Sequence, residues 1–339
     1  MRTVLVTGGS GYIGSHTVVT LLEHGYGVVI LDNLCNSKAS VIERIEAITS
    51  RKPIFYEGDV RDRSLLAYIF KQHKLSGVIH FAGLKAVGES QSEPLSYYDN
   101  NVIGSITLIE ESLNANIEHF VFSSSATVYG DPGVTQYHED LPTHPINVYG
   151  RTKLTVEQVL RDAVNANPKL RVACLRYFNP VGAHISGLIG EDPLGIPNNL
   201  MPFLGQVALK KLPRLKVYGN DYPTPDGTGL RDYIHVEDLA KGHHLALQYL
   251  QSHAGVLTVN LGTETPYSVL EVITAFELAS GEKISYEFTQ RRPGDLAEYY
   301  ANANLAKRAL HWQAEHDLIR MCADTWRFYN QFYRHNLDR

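Results

Sequence analysis

Tyr149 and Lys153 stand in the run Tyr149-Gly150-Arg151-Thr152-Lys153, and the apolar positions that follow, Val156, Val159, Leu160, Ala163 and Val164, have helical spacing. Side chains at i and i+4 share a helix face, so this phenol and this ammonium point together. A neighbouring ammonium favours phenolate and lowers a tyrosine pKa from about 10 toward the working range. A tyrosine tuned in this way can take or return an alcohol proton while a hydride moves. The YxxxK spacing alone is common and fits a surface Tyr–Lys pair equally well. Ser123-Ser124-Ser125 gives it weight, because the run closes the fifth expected strand at its carboxyl end, where parallel sheets bind ligands. A hydroxyl there can bridge a substrate hydroxyl to the tyrosine. A serine run taken by itself is a capped loop.

A second constellation lies near the start of the chain. Thr7-Gly8-Gly9-Ser10-Gly11-Tyr12-Ile13-Gly14 follows the first expected strand and opens a helix. Gly9, Gly11 and Gly14 satisfy GxGxxG, and Gly8, Gly11 and Gly14 satisfy GxxGxxG. Absent side chains let the backbone approach a pyrophosphate, while the helix N-terminus supplies N–H groups and partial positive charge. Asp32 ends the second strand, where a carboxylate accepts from adenosine ribose hydroxyls and repels a 2′-phosphate. The cofactor expected is therefore NAD rather than NADP. Lys38 is the nearby cation that would favour NADP. Asp59 follows the third strand, where it reads an adenine edge or simply closes a turn.

These residues need a frame that brings strand ends together. Apolar strand patterns fall at residues 4–6, 28–31, 54–56, 78–81, 119–122 and 172–176, with helical patterns between them at 12–22, 41–48 and 64–72. Repeated β-α-β units with near-continuous apolar strands imply a doubly wound parallel sheet. Residues 179–229 are rich in Gly, Pro, Asn and Asp and suit a lobe that covers a substrate. The fold class expected is α/β, a doubly wound (Rossmann) parallel sheet with a smaller α/β lobe. Residues 1–180 form the cofactor domain, with 236–261 returning to it; residues 181–235 and 262–339 form the substrate domain.

Composition removes several function classes. The 339 residues carry 31 Lys+Arg against 36 Asp+Glu, a formal charge of -5, so no basic excess marks a nucleic-acid or membrane surface. No apolar run reaches the roughly 18 residues of a membrane span. Residues 1–8 run straight into a strand pattern, which leaves no signal peptide and suits a cytoplasmic protein. Cys35, Cys174 and Cys322 are far apart and show no CxxC spacing. His243 and His244 are adjacent and would diverge on a helix, and no HExxH occurs, so no metal is expected.

The chain resembles the extended short-chain dehydrogenase/reductase superfamily and, more narrowly, the UDP-glucose 4-epimerase family over nearly its whole length. The resemblance rests on residues 4–16, 31–37, 80–90, 97–104, 123–131, 149–153, 176–184, 190–202, 219–238 and 291–299, with FSSSATVYGD at 122–131 among the most specific blocks. It implies a reversible epimerisation at C4 between UDP-galactose and UDP-glucose, through a 4-keto sugar and tightly bound NAD, in galactose metabolism. Tyr149 would be the base and acid, Lys153 its pKa partner and ribose ligand, and Ser125 the proton bridge. Around NAD it places Gly8, Gly11, Tyr12, Ile13, Gly14, Asp32, Asn33, Leu34, Cys35, Asn36, Ser37, Asp59, Val60, Phe81, Ala82, Gly83, Leu84, Lys85, Asn100 and Phe178, with Ser125, Tyr149 and Lys153. The UDP-sugar would meet Lys85, Ser125, Tyr149, Asn179, Asn199, Leu200, Tyr218, Arg231, Arg292, Asp295 and Tyr299. In the family, the position of Tyr299 lines the hexose pocket, and its bulk limits the C2 substituent.

The residues themselves agree with that second group. Two arginines from separate segments, Arg231 and Arg292, suit a diphosphate, and Tyr218 can stack on uracil. Arg231 could instead pair with Asp232 or Asp238, and Tyr218 could be a core aromatic. Asp295 and Tyr299 have the spacing of one helix face, which Gly294 argues against. Residues 132–148 depart from the family pattern and suit a surface loop. A 4,6-dehydratase would need an Asp-Glu pair after the hydroxyl residue, where this chain has Ala126-Thr127. A reductase or decarboxylase of the superfamily, and a silent NAD-binding protein, are the remaining alternatives; the silent protein should have lost Ser125, Tyr149 or Lys153. A homodimer pairing residues 97–113 and the helix after Tyr149 across a twofold axis is the family-level expectation.

Overall fold

A computed structural model describes residues 2–194, 197, 199–292 and 294–334, with the side chains of residues 333 and 334 excepted. The strands, in chain order, are β1 (Thr3–Thr7), β2 (Gly27–Asp32), β3 (Ile54–Glu57), β4 (Leu75–His80), β5 (His119–Ser125), β6 (Gln136–Tyr137) and β7 (Arg171–Tyr177). They continue as β8 (Asn179–Val181), β9 (Leu215–Tyr218), β10 (Leu230–His235), β11 (Gly255–Leu261), β12 (Pro266–Ser268), β13 (Tyr286–Thr289) and β14 (Glu298–Ala301). The helices are α1 (Tyr12–Glu23), α2 (Ser40–Thr49), α3 (Arg63–Gln72), α4 (Val87–Ser92), α5 (Pro94–Tyr97) and α6 (Gly104–Asn114). After them come α7 (Val148–Ala166), α8 (Leu200–Ala208), α9 (Val236–Tyr249), α10 (Val269–Ser280), α11 (Asn304–Leu310) and α12 (Leu318–Arg334).

Seven parallel strands form the large sheet in the order β3-β2-β1-β4-β5-β7-β11. Successive side chains of a strand point to opposite faces. Val4 and Val6 therefore enter one core, with Leu21, Leu239 and Leu247 of α1 and α9. Leu5 enters the other, with Leu66, Leu108 and Leu160 of α3, α6 and α7. Both faces are covered, which is why these strands read as continuous apolar runs. Strand order reverses between β1 and β4, and the carboxyl ends there open a crevice for a ligand.

The second sheet runs β12-β10-β14-β6, with β8 also paired to β10, and β9 pairs with β13. Its core joins Met201, Leu204, Val217, Tyr233, Phe276 and Met321. Helix α10 begins on a capping box in which Ser268 and Glu271 each satisfy the other's backbone N–H.

Strand β10 belongs to the small sheet, while α9 packs on the large-sheet core and β11 edges it. Two local expectations need correction. Helix α11 and Trp312 also pack into that core, through Ala306 and Leu310. Residues 132–148 are more than a surface loop, since β6 pairs with β14 and Tyr137 is buried. Two residues of strand produce no readable period, and their partner lies at Tyr300–Ala301, remote in sequence. No helix among the described residues is long and apolar enough to cross a membrane.

Candidate active site

A cavity of about 1790 Å³ runs from the glycine turn at the crevice to the small sheet. Of the residues expected to meet NAD or the UDP-sugar, all except Leu34 and Asp59 line it.

At the cofactor end, helix α1 starts at Gly11, which has no side chain to cap it. Its first N–H groups are thus left for a ligand oxygen. A Cβ on Gly14 would stand 2.1 Å from the Gly8 carbonyl oxygen, so the turn closes only with glycine there. Asp32 is nearly buried beneath this turn. Its carboxylate accepts from Ser10 N (3.1 Å), Leu34 N (2.9 Å) and Ser37 Oγ (2.9 Å). Three of roughly four acceptor directions are used, which leaves one for a ribose hydroxyl. Free N–H groups over a glycine turn, beside a buried carboxylate, fit the pyrophosphate and ribose of NAD.

Leu34 and Asp59 act one step back from the cavity. Leu34 takes a left-handed conformation, φ 57°, and donates to Asp32. Asp59 is engaged by Arg61 and by Asn33 Nδ2 (2.9 Å), and the Arg61 hydrogen bonds hold its carboxyl well below the usual range. It fixes Asn33 rather than facing the cavity. Lys38, the cation that would favour NADP, is paired with Asp192 at 2.6 Å. Arg44, a second cation near this end, also lines the cavity and lies 3.8 Å from the Phe332 ring centroid.

Tyr149, Ser125 and Lys153, the residues expected from sequence to be catalytic, converge midway. Asn147 caps α7 through Gly150 N (2.7 Å). A Cβ on Gly150 would stand 2.7 Å from Thr127 O, so the helix start can lie directly against the Ser125–Thr127 turn. Tyr149 stands near enough to Ser125 for that hydroxyl to pull its phenol pKa down. Ser125 Oγ accepts from Thr127 N (3.2 Å) and Thr127 Oγ1 (3.0 Å), so its own proton is free to be passed on. Lys153 is buried, donates to Ser123 O (2.8 Å) and stands 5.7 Å from the Tyr149 ring centroid.

The ionisation of this pair differs from the sequence expectation. Burial pushes the Tyr149 phenol up to about 12, against a smaller downward pull from Ser125. Burial lowers the Lys153 ammonium to about 8. Desolvation is the largest cause of both shifts, and it disfavours the charged form of each group.

The substrate end is assembled from side-chain pairs. Arg231 donates to Asp295 and stacks 4.6 Å above the Tyr299 ring. Asp232 is taken by Thr263 N (2.8 Å) and Ala301 N (3.0 Å), and Asp238 by His316 N (3.0 Å), so neither is the partner of Arg231. Arg292 lies 4.0 Å above the Tyr218 ring. Tyr299 sits on β14 and Asp295 in the loop before it, so no helix joins them. The Tyr299 hydroxyl donates to Asn179 Oδ1 at 3.4 Å, and its ring stacks on Tyr137 with centroids 5.7 Å apart.

Several residues in or behind the lining had no role of their own in the sequence reading. Ser123 and Tyr177 share a hydrogen bond beneath Tyr149 and line the cavity. Asn101 lies in a π-helical turn at Tyr98–Ile103, accepts from Leu84 N (2.8 Å) and donates to Thr152 Oγ1 (3.2 Å), so it ties the cofactor loop to α7. Glu191 lines the cavity beside Lys85 and Asn199. The π-turn leaves no mark in the hydrophobic pattern, but the Asn100-Asn101 pair was a visible polar break there. Away from the cavity, His235, Glu237 and His316 have ligating atoms within 4.8 Å of one another, but His235 Nδ1 already accepts from Glu237 N to cap α9.

Comparison with known proteins agrees with this geometry. The model of the NAD dependent epimerase/dehydratase family matches residues 4–262. A UDP-glucose 4-epimerase of Neisseria meningitidis serogroup C is 56% identical over 329 residues, 97% of each chain. The structure of a UDP-glucose-4-epimerase from Stenotrophomonas maltophila, with bound NAD and formylated UDP-arabinopyranose, is similar with a TM-score of 0.96 and 52% identity, covering 99% of this chain and 100% of that one. A UDP-glucose 4-epimerase from Bifidobacterium longum in complex with NAD+ and UDP has a TM-score of 0.95 and 49% identity, covering 98% and 99%. By sequence, fold and the layout of its cavity, this chain belongs to the UDP-glucose 4-epimerases of the NAD dependent epimerase/dehydratase family.

Proposed function

We propose that the chain interconverts UDP-galactose and UDP-glucose by inverting C4 through a 4-keto sugar, with Tyr149, Ser125 and Lys153 as its catalytic residues. The observation that carries this reading is the placement of that trio between the glycine turn and Arg231, Arg292 and Asp295 in one continuous cavity. NAD, when bound, accepts hydride from C4 and returns it, and carries a positive charge while oxidised. Tyr149 takes the 4-hydroxyl proton directly or through Ser125, whose own proton is not used by Thr127. The same phenol returns the proton after the sugar has turned. Protonated Lys153 favours the phenolate and donates to a ribose hydroxyl. Arg231 and Arg292 hold the diphosphate, so the hexose can turn while UDP stays anchored. Gly8, Gly11, Tyr12, Ile13 and Asp32 hold the cofactor, as does Lys85, while Asn179, Asn199, Leu200, Tyr218 and Tyr299 meet the UDP-sugar. In domain terms, the large-sheet domain carries the cofactor and the smaller lobe the UDP-sugar.

The pure protein should convert UDP-galactose to UDP-glucose with no NAD added. No turnover, even with NAD supplied, would sink the reading; a dehydrated sugar product would favour the dehydratase alternative, which Ala126-Thr127 argues against.

The working form is a homodimer in the cytoplasm. Leu95 is 81% exposed, and Tyr98, Ile103 and Ile106 are exposed beside it, an apolar face in the region expected to pair. Cys35, Cys174 and Cys322 are all free thiols, as suits a reducing compartment. Light scattering that returned a monomer at working concentration would remove the dimer.

A further inference from the structure

The cavity's two ends are held by different elements, yet one carboxylate touches both. Glu191 lies between β8 and α8, and it is buried. Its Oε1 accepts from Lys85 Nζ at 2.9 Å and from Asn199 Nδ2 at 2.6 Å. Lys85 belongs to the loop after β4, on the cofactor side; Asn199 is the residue before α8, on the UDP-sugar side. The Glu191 carbonyl oxygen accepts from the buried Tyr329 hydroxyl at 2.9 Å, which pins the loop to α12. The neighbouring residues extend the tie: Asp192 pairs with Lys38, and Leu194 N donates to Asn36 Oδ1 at 3.2 Å, both on the loop that rims the cofactor end. Glu191 Oε2 is buried without a hydrogen-bond partner among the described residues. A buried carboxylate so placed depends heavily on its two donors, and weakening either raises its demand on the other.

We propose that Glu191 is the positioning residue that couples the cofactor half of the cavity to the UDP-sugar half. When a UDP moiety fixes Asn199, the shared carboxylate is held, and Lys85 is held with it over the cofactor. The relation is reciprocal: occupancy of the UDP subsite slows cofactor release, and bound cofactor tightens UDP. Lys38 and Lys85 are exposed alike, 44% and 43%, so salt screens both pairs; what sets the Glu191 pair apart is its carboxylate, 7% exposed and shared with Asn199. The inference rests on the proposed roles of Lys85 and Asn199; turnover of UDP-galactose by the wild-type protein tests those roles separately.

The test is the rate of NAD loss from the holoenzyme, followed by dialysis with and without saturating UDP. In the wild type, UDP should slow the loss at least about fivefold, within the usual range of coupling between sites. Glu191→Gln keeps the side-chain volume and removes the charge. It should lose NAD about tenfold faster without UDP, as charge-assisted hydrogen bonds weaken, and UDP should then change its rate less than about twofold. Lys85→Met, which leaves Glu191 and Asn199 in place, should abolish the UDP effect while still binding UDP, and serves if the Gln variant does not fold. A Gln or Met variant in which UDP slows the loss as strongly as in the wild type overturns the proposal. So does a wild type whose NAD loss ignores UDP.

Discussion

The two ends of the cavity are built by different means. At the cofactor end, backbone does most of the holding: the glycine turn, the start of α1 and the N–H donors on Asp32 all come from a β-α-β unit contiguous in sequence. At the substrate end the holding is done by side chains on distant segments: Arg231 with Asp295, Arg292 over Tyr218, Tyr137 against Tyr299. A site made of backbone and short-range contacts is rigid with few residues. A site made of long-range pairs can shift piece by piece, which suits a pocket that must let a keto sugar turn. Substitutions at the cofactor end and at the catalytic trio should therefore act on rate and cofactor retention, and substitutions at the substrate end on KM and selectivity.

The sharpest break in that comparison is Tyr149→Phe. It deletes one oxygen from a residue already fixed by α7, so fold and NAD content should persist. General acid–base groups are worth about 10²–10⁴ in rate, and kcat should fall by that factor with KM nearly unchanged. A variant with near-wild-type turnover would remove Tyr149 as the base.

Lys153→Ala should have the next largest effect, and its sign follows from the two ionisations. The reactive form of Tyr149 is the phenolate, which appears as pH rises, and burial has pushed that step up to about 12. Protonated Lys153, in the proposed role, favours the phenolate, and it is itself charged below about 8. Without it the phenolate limb moves up: activity at pH 8 should fall by at least about tenfold and then climb with pH beyond 9, about tenfold per unit. NAD retention should weaken as well. An unchanged pH profile with full NAD content would defeat both assignments.

On the substrate side, Arg231→Met should raise KM for UDP-galactose about ten- to a hundredfold, the size of a lost charge-assisted contact with Asp295 left unpaired, and change kcat only a few-fold. A kcat loss with constant KM would place Arg231 with the catalytic trio instead, and the contrast between the ends would fail.

The same contrast explains what the sequence disclosed. The large sheet was legible because its strands are apolar on both faces and its turns carry glycine in sequence order; the trio was legible because the Tyr149–Lys153 spacing is a helix repeat. Tyr137 was not legible, because a two-residue strand has no period and its partners lie more than 160 residues away. Asn101 has no role in the sequence reading beside Asn100, because the π-turn that buries it leaves no mark in the hydrophobic pattern. For Arg231 the sequence offers Asp232 and Asp238 only as alternative partners close by, while the carboxylate it meets lies 64 positions on. The raised Tyr149 pKa was invisible for another reason: the spacing of two charges is written in the chain, but the depth of their burial is not.

The smallest expected effect concerns selectivity, at Tyr299. Its ring is walled in by Tyr137 at 5.7 Å and Phe178 at 6.0 Å, with Arg231 4.6 Å above it. Three separate segments thus hold the ring, so it cannot swing aside without disturbing the Arg231 anchor. Burial raises its pKa, which keeps the phenol neutral and able to donate to Asn179. An N-acetyl group at C2 adds three heavy atoms where a hydroxyl stood, and forcing extra atoms against a packed wall costs about 1–3 kcal/mol. The wild-type protein should therefore prefer UDP-galactose over UDP-N-acetylgalactosamine. Tyr299→Cys removes the ring and leaves Tyr137 and Phe178 behind it, so the ratio of specificity constants should move toward the N-acetylated sugar by at least about fivefold. The cost is the Tyr137 stack and the packing under Arg231, so KM for UDP-galactose should rise in the same variant. Comparable wild-type constants for the two sugars, or an unchanged ratio in the Cys variant, would show that the wall is set elsewhere, and Phe178, which shares the cluster, would be the next position to vary.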